Sequence, residues 1–356
     1  MPDDRVDAPV GFLVVDKPAG LSSRAVTNRL HGAVARSLGV TRRWLKVGHV
    51  GTLDPMATGV LAVAVGTATR LSDVLHELPK SYTATFAWGL ESDTEDTTGT
   101  VRRVDSPQHD LQSLRGELTA ALPNFLGTIR QRPPAYSAKK VDGKRAYDLA
   151  RRQRAVVLEP VDVRIDALEL LSTAMADAGE AGADVRSPSS DSLRFTLRID
   201  CGSGTYIRSL GRDLAAAAGG SAIMSQLTRT RSGPFHLADS SSLAKAEADP
   251  LGVLTRPRAA LAGLVREHSV TADEASRARN GQALATQVEW QPSATDESQP
   301  DGIGDDERHL PIAPSSPLGD RIALIHADDL VALAQPDGRT LRPKLVFPRK
   351  TLPRRR

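Results

Sequence analysis

The chain has 356 residues, 40% of them hydrophobic and 25% charged, with a formal net charge of +3. That composition suits a soluble protein with room for one large domain and a small one, and no apolar run approaches the ~20 residues that cross a bilayer. A single cysteine, Cys201, leaves no intrachain disulfide, and the eight histidines show no metal-ligand spacing, so no metal is expected.

Before its first apolar run the N-terminus, "MPDDRVDAPVGFLVV", carries two early aspartates and no basic region, which argues against a signal peptide. With the lone cysteine, a reducing, cytoplasmic compartment is expected. "FLVVDKPAGLSS" reads as a short buried strand, a Pro-Gly turn and a helix N-cap at Ser22 or Ser23. Val26, Leu30, Val34 and Leu38 then recur at four-residue steps, predicting an amphipathic helix that stops at Gly39. "VGHVGTLDPMATG" is a glycine-rich loop, "VLAVAVG" a buried strand, and "TATRLSDVLHELPK" a helix.

"SYTATFAWGL" alternates as a strand does, "ESDTEDTTGT" is a polar acidic loop, and a helix is expected around 108–122. The segment 130–152 is strongly basic and carries Tyr136 and Tyr147. Strands "VDVRIDALELL" and "SLRFTLRIDCG" flank a variable loop at 175–191, and "TYIRSLGRDLAAAAGG" predicts a helix with a glycine stop. Strands and helices do not alternate as a doubly wound sheet requires, so a mixed α/β (α+β) domain with a largely antiparallel sheet is expected over residues 10–260. Beyond it, over 265–350, a small β-rich module with a turn at "PDG" is interrupted by an acidic insertion at 286–318, expected to be disordered.

Four places could carry chemistry. Pro55 pushes Asp54 toward an extended backbone, and the glycines around it admit close approach, so Asp54 is either a held nucleophile or base, or the polar residue of an ordinary turn. Arg208 opens a helix after "CGSG" and could pair with a carboxylate; it could equally be a surface arginine. The lone G-x-G there is too weak for a phosphate fingerprint, and Cys201 reads as a buried strand residue. Arginines, lysines and tyrosines interleaved over 130–152 suit nucleic acid, or a charged loop-helix with its rings packed inward. Tyr82 opens a strand and is either core or part of a site.

In order and with the right spacing, "VDKPAGLSS", "GHVGTLDPMATGVL", "KSYTA", "RPPAYSAKKVDGKRAYDLAR", "CGSGTYIRSLGRDL" and "LTRTRSGPF" closely resemble the bacterial tRNA pseudouridine-55 synthases of the TruB family. The resemblance covers about residues 10–235, with weaker likeness to the C-terminus. It implies the pseudouridine synthase fold with a C-terminal RNA-binding module of the PUA type, and an isomerase that turns the T-loop uridine of tRNA into pseudouridine without a cofactor. It implies Asp54 as the catalytic aspartate, acting at C1′ of the sugar or C6 of the base, and Arg208 as its salt-bridge partner. Tyr82 would stack on the flipped base; His49 would meet the rearranged loop bases; Tyr206 and Leu227 would wall the pocket. Lys17 and the basic 130–152 segment would hold phosphate. A monomer acting on the T-arm of tRNA, with no membrane and no obligate protein partner, is the expectation. Ser203 departs from the family, where a lysine is frequent, as do the 175–191 loop and the acidic insertion. A tRNA-binding or tRNA-folding protein with incidental or lost catalysis is the alternative; a glycoside hydrolase would need two opposed carboxylates, and the motifs offer one.

Overall fold

The computed structural model describes residues 5–104, 109–136, 140–141, 144–145, 158–175, 193–286 and 318–355. Most of the basic segment 130–152, the loop at 175–191 and the insertion at 286–318 therefore lie outside the described residues.

The framework is a mixed eleven-stranded sheet among the described residues. Its main strands are β1 (Gly11–Lys17), β2 (Val47–Val50), β3 (Thr58–Val65), β4 (Lys80–Trp88), β5 (Gly127–Gln131), β6 (Val161–Met175), β7 (Leu193–Cys201) and β8 (Ala222–Ser232). They lie in the order β1-β3-β8-β4-β7-β6-β5, with β2 on β3. Neighbours are antiparallel except at two places, where Ser241–Ser242 runs beside β1 and where β3 meets β8. The expected largely antiparallel α/β sheet is therefore present.

The β3–β8 contact is two residues long, Thr58 beside Thr228 and Gly59 beside Arg229. A Cβ on Gly59 would lie 2.2 Å from the Arg229 carbonyl oxygen, and its φ is +96°, so only glycine lets the two strands meet. This junction joins the two halves of the sheet at the place where the cleft forms.

Strand alternation puts Lys80, Tyr82, Ala84 and Phe86 on one buried face of β4. Two helices cover that face, α2 (Leu111–Ala121) through Leu114 and Leu118, and α3 (Ile207–Ala217) through Leu210 and Leu214. Phe86 and Phe195 stack at 5.0 Å between centroids. Gly211 lets α3 come down onto Phe86, whose ring would lie 1.9 Å from an added Cβ. On the other half, α1 (Ser23–Ser37) lays Val26, Leu30 and Val34 over Leu13, Val15, Leu61 and Val63. Its N-cap is Ser22, which accepts from Ala25 N at 3.1 Å; Ser23 is buried for another purpose.

The predicted helix after β3 is shorter than its pattern suggested: a 3₁₀ run, Gly66–Leu71, precedes one α-helical stretch, Ser72–Glu77. At the C-terminus a five-stranded sheet contains β9 (Arg266–Ser269), β10 (Leu284–Ala285), β11 (Ile322–His326), β12 (Asp329–Asp337) and β13 (Thr340–Val346), with α4 (Ala272–Arg279) against it. The "PDG" turn closes the β12–β13 hairpin, pairing Asp337 with Thr340. Ala323, Ile325, Leu330, Leu333 and Phe347 share one apolar cluster with Phe12, Val60 and Ala64, so this module packs directly on the large sheet. The chain then returns, and Thr351–Pro353 pairs with Arg5–Asp7.

Candidate active site

Asp54 begins a turn, with Ala57 N donating to its carbonyl at 3.1 Å and Pro55 at the second position. The turn reading and the catalytic reading are thus compatible, because the Asp54 carboxylate does not fold back on its own loop. Its Oδ2 lies 3.1 Å from Nη2 of Arg208. The two side chains differ in access: Asp54 is 37% exposed and Arg208 9%. Both groups belong to the wall of the cleft, the carboxylate open and the guanidinium largely buried beside it.

Arg208 is held on its other sides as well. Nη1 donates to the Thr94 carbonyl at 2.8 Å and Nη2 to the Tyr136 carbonyl at 3.1 Å. A second carboxylate, Asp96, lies 3.7 Å from Nη1 and is 4% exposed. Asp96 Oδ1 accepts from Thr94 Oγ1, Thr98 N and Thr98 Oγ1 at 2.6–2.9 Å. Neighbouring Glu95, with φ +61°, pairs with Arg212 and accepts from Ser209 Oγ at 2.7 Å. Burial raises the Glu95 pKa against the pull of Arg212. The segment 91–100, expected to be a polar acidic loop, folds against α3, where Glu95 pairs with Arg212 and Asp96 lies beside Arg208, while Glu91 pairs with Arg102. Its alternating Asp/Glu and Thr residues were the available signal, since such pairs bond locally, but nothing in the sequence placed them beside Arg208.

Below Asp54 the loop rests on buried donors. Lys17 is fully buried, and its ammonium gives its three hydrogens to the carbonyls of Pro18, Leu21 and Pro55 at 2.9, 2.7 and 3.1 Å. The expected phosphate contact of Lys17 is corrected here: no donor and no surface remain for a phosphate, and the residue ties the Pro-Gly turn to the Asp54 loop. Burial lowers its pKa to about 8, opposed by the charge of Asp54. Ser23 Oγ donates to Leu53 O and accepts from Leu53 N, at 2.9 and 2.8 Å. Arg229, 1% exposed, donates from Nε to Val60 O at 2.8 Å and from Nη2 to Gly51 O at 3.0 Å. Lys80, 4% exposed, donates to the His76 carbonyl; burial, then the Arg229 charge, lower its pKa to about 8. Each of these cations binds main-chain carbonyls, and none was singled out as structural by local pattern.

The cleft has a volume of about 370 Å³. Asp54, Tyr82, Tyr206, Arg208 and Leu227 all line it, and so do Tyr136, Met224, Lys80 and Arg229. Tyr82 is opposite Arg229 in the β4–β8 register and is 9% exposed; burial is the main cause that raises its pKa, with the Arg229 charge pulling the other way. Tyr206 is the residue before α3, and its main chain is clasped twice by the buried Gln131: Nε2 donates to Tyr206 O at 3.1 Å, and Tyr206 N donates to Oε1 at 2.8 Å. Gln131 thereby anchors the end of β5 to the helix that carries Arg208.

His49 is outside the cleft lining. Thr27 Oγ1 gives its hydrogen to Ser23 O at 2.7 Å, so it accepts from His49 Nδ1 at 3.1 Å, and Thr52 Oγ1 meets Nε2 at 3.2 Å. Burial, then Arg229 and Arg24, lower the His49 pKa, so the ring is neutral at pH 7. Cys201 is buried, with its thiol pushed up to about 12 by desolvation, and is inert. Ser203 lies in the turn leading to Thr205, partly exposed. Among the described residues no cluster of three or more metal-ligating side chains occurs, and no helix is long and apolar enough to cross a membrane.

Residues 36–207 match the model of the TruB family pseudouridylate synthase N-terminal domain. A protein of Mycobacterium tuberculosis (strain ATCC 25618 / H37Rv) named tRNA pseudouridine synthase B is 40% identical over 275 residues, which cover 77% of this chain and 84% of that one. A protein of the same name from Gloeobacter violaceus is 44% identical over 262 residues, covering 72% and 81%. Among solved structures, a chain from an H/ACA ribonucleoprotein bound to a substrate RNA containing 2′-deoxyuridine superposes with a TM-score of 0.56 over 95% of this chain and 84% of that chain, at 20% identity, a likeness of fold. With a shared sheet, a shared motif order and 40% identity spread over most of both proteins, this chain belongs to the TruB family of pseudouridylate synthases.

Proposed function

We propose that this chain converts a uridine of tRNA to pseudouridine, that the uridine is the T-loop residue at position 55, and that Asp54 is the group on which the exchange turns. The observation that carries the reading is the pairing of Asp54 with Arg208 at 3.1 Å in the wall of the cleft, with the carboxylate the more exposed of the two. The names printed for the relatives supply the substrate class.

The reaction breaks the N1–C1′ bond and forms C5–C1′. The proton on C5 leaves and one is taken up at N1, so product and substrate are isomers and no cofactor enters. While the uracil is detached, Asp54 acts as an anion, attacking or stabilising the sugar C1′ or adding to C6 of the base. Arginine does not give up its proton, so Arg208 remains a permanent cation beside that carboxylate. The target uridine has to leave its stack, at a cost of a few kcal/mol. The Tyr82 ring offsets part of this by stacking on the base, and its phenol, pushed up by burial, keeps its proton at neutral pH and can pass one. Leu227, Met224 and Ile207 give the cleft apolar walls that exclude water from the detached base. His49, neutral and held beside the cleft loop, meets neighbouring bases of the T-loop. The basic segment 130–152 clasps the T-arm, and the protein works as a monomer without a partner protein.

The test is turnover on unmodified tRNA with a carbodiimide or mass-spectrometric map of the product. Asp54→Asn is expected to lower turnover by at least about 1,000-fold while tRNA affinity changes by no more than about threefold. Full activity in that variant removes Asp54 from the reaction; tRNA affinity without any new C-glycoside in the wild type leaves a binding protein.

A further inference from the structure

We infer that Glu95 and Arg212, outside the cleft, form a clamp that holds Arg208 in place for Asp54, and that both are positioning residues for the reaction. This rests on the reading of Asp54 and Arg208 as the catalytic pair. Arg208 and Arg212 stand one turn apart on α3, so they share a face of the helix. Each bridges the same two segments. Arg208 reaches the Thr94 carbonyl at 2.8 Å and Asp96 at 3.7 Å on one side, and the Tyr136 carbonyl at 3.1 Å on the other. Arg212 pairs with Glu95 of the first segment and donates from Nη2 to the Arg132 carbonyl of the second at 3.1 Å. Its Nε is held by Asp213 at 2.8 Å. Of the two arginines Arg208 alone meets Asp54, and neither Glu95 nor Arg212 lines the cleft.

Glu95 sits in the chain between the two groups that meet Arg208 Nη1, the Thr94 carbonyl and the Asp96 carboxylate. Both of its own carboxylate oxygens are taken by α3. One pairs with Arg212, and the other accepts from Ser209 Oγ at 2.7 Å, the hydroxyl of a fully buried residue. The main chain is pinned at the same point: Met224 N donates to Glu95 O and Thr97 N to Met224 O, both at 3.1 Å. The backbone of Glu95 is left-handed, with φ +61°, a conformation that strains a glutamate and suits glycine. A residue stays in such a conformation when its surroundings over-determine it. Here those surroundings are Arg212, Ser209 and Met224, and what they fix is the placement of 94–96 against Arg208. The pair is shielded, with side chains 31% and 15% exposed, unlike the surface pairs that contribute little. Misplacing a catalytic group by about 1 Å can slow a reaction about 100-fold, so such a support acts on rate more than on affinity.

The test measures single-turnover rate on unmodified tRNA, tRNA affinity, thermal melting and amide hydrogen exchange. It compares wild type with Glu95→Gly, Glu95→Gln, Arg212→Met and the double variant Glu95→Gly/Arg212→Met. Glycine relieves the backbone while removing the side chain, so Glu95→Gly should melt within about 3 °C of wild type. Its single-turnover rate should fall about tenfold with tRNA affinity within about twofold. Exchange at the amides of Thr97, Thr98 and Met224 should quicken about tenfold. Glu95→Gln keeps an acceptor for Arg212 and an amide for the Ser209 hydroxyl, and should stay within about threefold of the wild-type rate. Arg212→Met should slow the reaction at least as much as Glu95→Gly, and the double variant should be no more than about twofold slower than Arg212→Met. A wild-type rate in Glu95→Gly overturns the clamp. So does a further tenfold loss in the double variant, since the two residues would then act apart. Parallel losses of rate, affinity and melting temperature also overturn it, because they reduce the pair to support of the fold. Were the wild type to bind tRNA without turnover, the catalytic reading would fall and exchange would decide the clamp: quicker exchange in Glu95→Gly keeps it, and wild-type exchange removes it.

Discussion

The loop around Asp54 and the β12–β13 hairpin of the C-terminal module carry charge in opposite ways. Beneath Asp54, Lys17, Lys80 and Arg229 are all at or below 4% exposure, and each donates to at least one main-chain carbonyl. In the hairpin, Arg342 pairs with Asp337 at 2.9 Å with both side chains about 60% exposed. Burying a cation is costly unless it is bonded, so the cations under the loop are bound to one geometry and impose it on the backbone. A surface pair keeps its water and contributes little. The lesson is that the buried charges hold the loop that presents Asp54, and the exposed ones do not specify the fold.

Substitutions test that contrast. Arg208→Met should have the largest effect, because it leaves Asp96 buried without its cation and frees the carbonyls of Thr94 and Tyr136. A loss of about 3 kcal/mol in stability and at least about 100-fold in turnover is expected, read from denaturant unfolding and single-turnover kinetics. Retention of both would show that the arginine is dispensable. Gly59→Ala comes next: its Cβ meets the Arg229 backbone and the φ is left-handed, so the β3–β8 junction should open at a cost of about 3 kcal/mol, with lower turnover following from a displaced loop.

A gentler probe is pH. The Lys80 ammonium has a pKa near 8 in the fold against 10.5 in the open chain. Between those values the unfolded chain holds more protons, so the destabilisation due to the buried charge is complete below about pH 8 and is relieved as pH rises toward 10.5. Relative to Lys80→Met, the wild type should therefore gain melting temperature from pH 8 to pH 10; parallel curves would mean that Lys80 carries no such cost. At the small end, Asp337→Asn should change stability by no more than about 0.5 kcal/mol, and a loss of 2 kcal/mol would undo the contrast between buried and surface charge.

Several of these features could be read in the sequence. Apolar spacing located α1, alternation located β4, β6 and β7, and the "PDG" turn marked the last hairpin, because local periodicity and turn chemistry are properties of neighbouring residues. Asp54 was visible as a carboxylate fixed by Pro55 among glycines, and motif order tied it to Arg208. Lys17, which the family resemblance assigned to phosphate, is buried on three carbonyls instead, and no local pattern shows that burial. Asp96, Gln131 and Arg229 carried no local sign of their partners, which lie 112, 75 and 169 residues away for the contacts Asp96–Arg208, Gln131–Tyr206 and Arg229–Val60.

The sequence by itself determined most of the elements, the largely antiparallel character of the sheet and the presence of a lone carboxylate on a stiff bend. Only the tertiary structure decided which charges are buried, which carbonyls they hold, and that Thr94 and Asp96 of the 91–100 segment lie beside Arg208. Those outcomes depend on groups far apart in the chain arriving in one dry space, where an unpaired donor or charge is too costly to leave alone.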